Sequence, residues 1–294
     1  MTSSVDETSQ SSPRPASPAQ VRSRLSVLIA IGLGSIVVFV ANYVFFVRTT
    51  LGQELDDAAL IGAEHETQGV ITEAWDLLDV ISVASLALAC VVIGLVAVLR
   101  RRFALAFAAL ATIAVANIVT QLLKRVVLER PDLIGKGAVN SLPSGHATVA
   151  TTVAVGLVMA TAPRWRSTVA LVSALFPVSV AVAVVTASWH RPSDSIAAFC
   201  VVLGVAVASL AAVVRVVGFD AGERPPRWLR RSMLAVGGAA IVVLGGLGLL
   251  GLGAVRGRLR DGPLDARWES VAYASSTAGI TAGALIVMLC LVVA

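Results

Sequence analysis

The feature that most constrains this chain is a series of apolar runs, each about as long as a bilayer is thick. Between Asp194 and Arg215 there is no charged side chain at all, and about 20 such residues suffice for a helix to cross the hydrocarbon core. Lipid offers no partner to backbone N–H and C=O groups, so a run of this kind crosses as a helix. Composition agrees: 57% of the 294 residues are hydrophobic and 14% are charged, against about 25% charged in soluble domains. The chain reads as an all-α, polytopic membrane helix bundle.

Eight helices are predicted, at 25–47, 76–99, 103–123, 146–162, 167–189, 193–217, 233–255 and 270–294. Residues 1–24, rich in Ser, Pro, Thr and Gln, read as a disordered tail. Residues 25–217 form a six-helix core, 218–232 a basic linker, and 233–294 a two-helix C-terminal extension. The net charge of +5 does not point to nucleic acid, because the arginines sit in short segments between apolar runs, where they act as topology signals. With the N-terminus cytoplasmic, the tail, Arg100 to Arg102, the turn Pro163 to Arg166 and the linker all fall inside. The acidic segment 48–75 falls outside; its Asp56 and Asp57 either help place a substrate head group or belong to a small surface helix. Cys90, Cys200 and Cys290 lie within apolar runs, which excludes a disulfide framework. Glycine-rich 237–253 reads as a close-packed pair or a lipid-facing span, and Trp75, Trp165, Trp189, Trp228 and Trp268 as interfacial anchors.

Three polar clusters fall at the outer ends of the third to sixth helices. They are Lys124 with Arg130, Pro131 and Asp132; Pro143-Ser144-Gly145-His146; and Trp189-His190-Arg191-Pro192-Ser193-Asp194. Snorkelling accounts for Arg125, Lys136 or Arg102, but not for two of the chain's three histidines standing at helix starts on one side. Ser144 and Gly145 open a helix whose free N–H groups attract an anion; the plainer reading is that Ser144 caps that helix. His190 and Asp194 become neighbours if the chain is already helical from about Pro192. A carboxylate on one imidazole nitrogen leaves the other as nucleophile or base.

These residues resemble the type 2 phosphatidic acid phosphatases, within the acid phosphatase and vanadium haloperoxidase superfamily. That family's pattern is a Lys, six residues and Arg-Pro; then Pro-Ser-Gly-His; then Ser-Arg, five residues, His, three residues and Asp. Here the second part is intact at 143–146, and the third ends intact in His190 and Asp194. The resemblance implies a metal-independent lipid phosphate or diphosphate hydrolase without cofactor, with a phosphorylated lipid and the bilayer as its partners and its site on the extracytoplasmic face. It further implies that His190 is the nucleophile, Asp194 its orienting carboxylate and His146 the general acid and then base. Ser144, Gly145, Lys124 and Arg130 would hold phosphate oxygens.

Two positions depart from the pattern. Leu123 stands where the first motif places its lysine, one residue before Lys124, and Ala183 and Val184 stand where the third places Ser-Arg. Arg191, with Lys136 behind it, is the candidate to supply the missing cation. The rivals are a catalytically impaired lipid-phosphate-binding scaffold, favoured by those departures, and a transporter, which would place its ionisable residues at mid-membrane.

Overall fold

The computed structural model describes residues 17–81, 83–101, 103–137, 139–218 and 227–294. Arg102, residues 1–16 of the expected tail and 219–226 of the expected linker lie outside the described residues. Helix α1 (Pro18–Asn42) begins before Leu25, because Ser17 and Gln20 form a reciprocal capping box with Pro18 in the first turn. It runs on into a π-helical turn at Tyr43–Val47. Among the described residues, six helices are long and apolar enough to cross a membrane: Pro18–Val47, Phe103–Val127, Arg166–Thr186, Pro192–Val216, Arg230–Asp261 and Ala266–Val293. Two shorter apolar helices, Ser85–Val96 and Gly145–Ala160, complete the eight apolar runs. The chain is a multi-pass, all-α membrane protein.

Segment 48–75 is not an open connection. It folds into α2 (Thr50–Glu64) and most of α3 (Gln68–Asp79). The helix expected over 76–99 is accordingly broken, and α4 spans Val83–Leu99. Glu73, Asp76 and Asp79 make α3 too charged for lipid, whereas its Ala74 and Leu78 are buried in the core. An interfacial helix satisfies both demands.

Next come α5 (Phe103–Leu122), ending in a π turn at Leu123–Val127, and α6 (Gly145–Ala160). The fifth run divides at Ala174 into α7 (Arg166–Ser173) and α8 (Leu175–Thr186), since Pro177 has no N–H for the carbonyl of Ser173. Helices α9 (Pro192–Val216), α10 (Arg227–Asp261) and α11 (Ala266–Val293) follow.

Helix α9 packs between α1 and α5, with α6 and α11 against it. Its Ala198, Val202 and Ala206, and Ala147, Ala150 and Ala154 of α6, are buried with almost no exposure. Small side chains let the backbones approach closely where no hydrophobic effect drives association. The C-terminal pair packs onto the rest of the bundle, since Ile280, Ala284, Val287 and Met288 of α11 belong to the same core. Helix α10 is two-sided: Val242, Leu249 and Leu250 are exposed, while a Cβ on Gly251 would lie 1.9 Å from Ser275 Oγ.

Helix α2 is seated on α11 through Gly62, where a Cβ would come within 2.0 Å of the Glu269 carbonyl oxygen. Alanine in place of glycine gains up to about 1 kcal/mol of helix propensity, but overpacking costs about 1–3 kcal/mol, and backbone cannot yield as a flexible side chain would. Gly62→Ala is therefore expected to lower the melting temperature in detergent; an unchanged or higher value would show that α2 is not held on α11.

Arg24, Arg101, Pro163, Arg166 and Gly218 line one cavity, so the segments expected inside share one end of the bundle. The turns that lead into α6 and α9 lie at the opposite end, where α2 and α3 cover the helix ends.

Candidate active site

The site grows from three helix termini. At the end of α5, Asn140 Nδ2 donates to the carbonyls of Lys124 and Leu128 at 2.9 and 3.0 Å. Those carbonyls would otherwise lack intrahelical partners. Asn140 Oδ1 also accepts from Leu142 N at 3.2 Å, tying the Lys124 turn to the approach to α6.

Ser144 is the N-cap of α6: its buried Oγ accepts from Ala147 N at 3.3 Å. The capping reading of Ser144 therefore holds, and its hydroxyl proton is still free to donate. Ser144 N donates to the Asp194 carbonyl at 3.0 Å, which locks the start of α6 to the first turn of α9. Gly145 opens α6, and a Cβ there would be 3.6 Å from Gln121 Nε2. His146 follows, with its ring 5.4 Å from that of Trp189 and within electrostatic range of His190 and Lys124.

The third terminus is a tight turn through Ser188, at φ +56, which brings Trp189 N and His190 N both to 3.0 Å from the Val184 carbonyl. Pro192 then starts α9, and His190 Nδ1 lies 3.0 Å from Asp194 Oδ2. The four-residue spacing produces the pair it predicted. With Nδ1–H on the carboxylate, the lone pair is left on Nε2. Asp194 is fully buried, and the same Oδ2 accepts from Ser141 Oγ at 2.5 Å and Arg191 N at 3.1 Å. Three donors on one oxygen hold the carboxylate in a single orientation.

Arg130 Nη2 stands 3.6 Å from Asp194 Oδ1 and also 3.6 Å from Asp56 Oδ2. Arg130 Nε and Nη2 and Asp194 Oδ1 are buried yet make no hydrogen bond among the described residues. Unmade donors of this kind are costly, and a tetrahedral oxyanion would satisfy them. Lys124, half buried, lies within electrostatic range of Asp194.

The two cations expected to replace the missing motif arginine have another partner. Arg191 Nη2 is 3.7 Å from Asp57 Oδ1, and Lys136 Nζ contacts Asp57 Oδ2. Val184, at the position of that arginine, is buried and apolar, and contributes its carbonyl to the turn.

Sequence reasoning missed Asn42 and Gln53, and for Asp56 and Asp57 offered a head-group role or a surface helix without naming their partners. Gln53 Nε2 donates to the Val47 and Pro131 carbonyls at 2.8 and 2.7 Å, and its Oε1 accepts from Leu133 N at 3.2 Å, fixing the loop after Arg130. Asp56 accepts from Ser193 N at 3.1 Å and from Ser193 Oγ, while Asn42 Nδ2 holds the Ser193 carbonyl at 3.0 Å. Burial, reinforced by Asp194 and opposed by Arg130 and Ser193, pushes the Asp56 carboxyl up to about 6. The available signal was Gln53, Asp56 and Asp57, one helical turn apart on a polar segment. Trp189 does more than anchor, since its ring bridges His146 and Trp75, the latter at 6.0 Å. His65 pairs with Glu269 at 2.8 Å, away from the site.

Residues 104–217 match the PAP2 superfamily. No curated protein and no solved structure matches the chain at a significant level. The matched span contains Lys124, Arg130, His146, His190 and Asp194 but leaves out α1 to α4, so Asn42, Gln53, Asp56, Asp57 and Trp75 reach the site from outside it.

Proposed function

From the match of residues 104–217 to the PAP2 superfamily we propose that the chain is a phosphatase of that kind and hydrolyses a lipid phosphate or diphosphate through a phosphohistidine. The observation that carries this reading is His190 Nδ1 at 3.0 Å from buried Asp194, beside an Arg130 whose buried donors lack acceptors.

His190 Nε2 attacks phosphorus and forms an N–P bond as the P–O bond to the lipid breaks. His146 delivers a proton to the departing oxygen. Water then attacks the phosphohistidine, His146 takes its proton, and orthophosphate leaves as the N–P bond breaks. Asp194 keeps Nδ1–H in place and balances charge on the ring. Arg130, Lys124, the Ser144 hydroxyl and the N–H groups opening α6 at Gly145 hold the phosphate oxygens. Arg191 serves the site through Asp57.

The substrate's apolar chain stays in the bilayer while its head reaches the helix ends, on the extracytoplasmic side if the arginine-rich end of the bundle is cytoplasmic. A polyprenyl and a glycerolipid carrier present the same phosphate to these groups. Val184 in place of an arginine favours one second reading, a lipid-phosphate-binding scaffold without turnover.

The test is phosphate release by the purified protein, with a chelator present, from polyprenyl diphosphates, phosphatidic acid and phosphatidylglycerol phosphate. Turnover of at least one lipid that survives the chelator is the expected result, and the preferred lipid names the substrate. Lipid binding without any release would establish the scaffold.

A further inference from the structure

Helix α2 lies outside the span shared with the superfamily, yet its carboxylates gather three of the site's cations. Asp57 takes Lys136 and Arg191. Asp56 takes Arg130, in a space with almost no exposure. Around that guanidinium, Asp56 and Asp194 stand at the same 3.6 Å, and the two acids differ in what else they hold. Asp194 is committed to His190, Ser141 and Arg191 N through Oδ2. Among the described residues the hydrogen bonds of Asp56 are to Ser193, a neutral partner that an uncharged carboxyl or carboxamide also satisfies.

A phosphate that turns the free Arg130 donors onto its oxygens brings one or two negative charges to within a few ångströms of both acids. In a buried space such like-charge contact is heavily penalised unless one group is neutralised. The groups facing Asp56 are Arg130 from the loop and Asp194 and Ser193 from α9; Gln53 and Asn42 beside them are neutral. Asp56 is thus the acid that can give up its charge without releasing the nucleophile, and burial already holds its carboxyl near 6.

We propose that Asp56 is a positioning residue and the exchangeable counter-ion of Arg130: it balances the guanidinium while the site is empty and takes up a proton from solvent when a phosphate group replaces it. This rests on reading the pocket as a phosphate site. The sign follows by linkage: the form with Asp56 protonated binds phosphate better, so affinity weakens as pH rises through about 6.

The experiment titrates the full-length protein in detergent with inorganic phosphate, by calorimetry in buffers of different ionisation enthalpy, for wild type, Asp56→Asn and Asp56→Ala. Asparagine keeps an acceptor for Ser193 N and a donor for Ser193 Oγ, but carries no charge. At pH 7.5 the wild type is expected to take up close to one proton more per phosphate bound than Asp56→Asn. Its affinity relative to that variant should fall by up to about tenfold per pH unit above 6, a ratio in which the titration of phosphate itself cancels. Asp56→Ala, which frees Ser193, should lose turnover that Asp56→Asn restores in part. Equal proton uptake in wild type and Asp56→Asn, or no phosphate binding by the wild type, overturns the proposal. If no lipid is turned over but the difference in proton uptake is present, the hydrolase reading falls and the counter-ion stands.

Discussion

His190→Ala is expected to lower phosphate release by on the order of 10⁴-fold to 10⁶-fold, the scale on which nucleophile removal acts in enzymes that work through a covalent intermediate. His190 is 8% exposed, and its Nδ1 is engaged by Asp194, so the only ring atom available to a substrate is Nε2. Deleting the ring also strips a partner from a buried carboxylate, at about 1–3 kcal/mol of stability. His190→Gln, which can donate to Asp194 but cannot form the N–P bond, separates the two effects. Both variants should be inactive while the glutamine variant melts closer to wild type. An acid-labile phosphoryl group should accumulate on the wild-type chain during rapid-quench turnover and on neither variant. Residual activity above a hundredth of wild type in His190→Gln would remove this histidine from the nucleophile's role.

Asp194→Asn belongs with this result. A carboxamide turned with its N–H toward Nδ1 forces the ring proton onto Nε2, where it blocks attack. The expected loss is large although the side chain keeps its size, and a variant with near wild-type kcat would show that the tautomer is not what Asp194 controls.

For His146→Ala the expected loss is about 10²-fold to 10⁴-fold in kcat, the range for general acid–base groups, and it should depend on the leaving group. A lipid alcohol departs poorly as an anion and needs a proton from His146. Nitrophenolate departs without one. With a nitrophenyl phosphate the first step should be nearly restored in the variant, seen as a burst of nitrophenol, while hydrolysis of the phosphohistidine stays slow because the same residue activates water. An equal loss for both leaving groups and no burst would contradict the assignment. The Trp189 ring 5.4 Å from His146 gives a convenient optical report that each variant has kept the local fold.

The site was legible in the sequence where its logic is local. His190 and Asp194 are one helical turn apart, and Pro192 allows the helix to start between them, so the pair could be written down before any coordinates. The Ser144 cap and the free N–H groups behind it are likewise properties of a short segment. The burial of Asp56 was not legible. The spacing of Gln53, Asp56 and Asp57 marks one helix face but not what covers it; that depends on Arg130 and Ser193, both far along the chain. The ion pair of Arg191 was hidden for the same reason, since its partner Asp57 is on α2.

The sequence by itself determined that the chain is a multi-pass helical protein, and nearly where each apolar run begins and ends. Lipid leaves the backbone no other partner, and caps and prolines act within a turn of where they stand. Only the tertiary structure decided that 48–75 is two helices packed over the site, that α11 contributes to the core, and that three basic side chains face α2. Those outcomes depend on which charges share a buried space, and Coulomb interactions and close packing follow distance in space, to which distance along the chain is no guide.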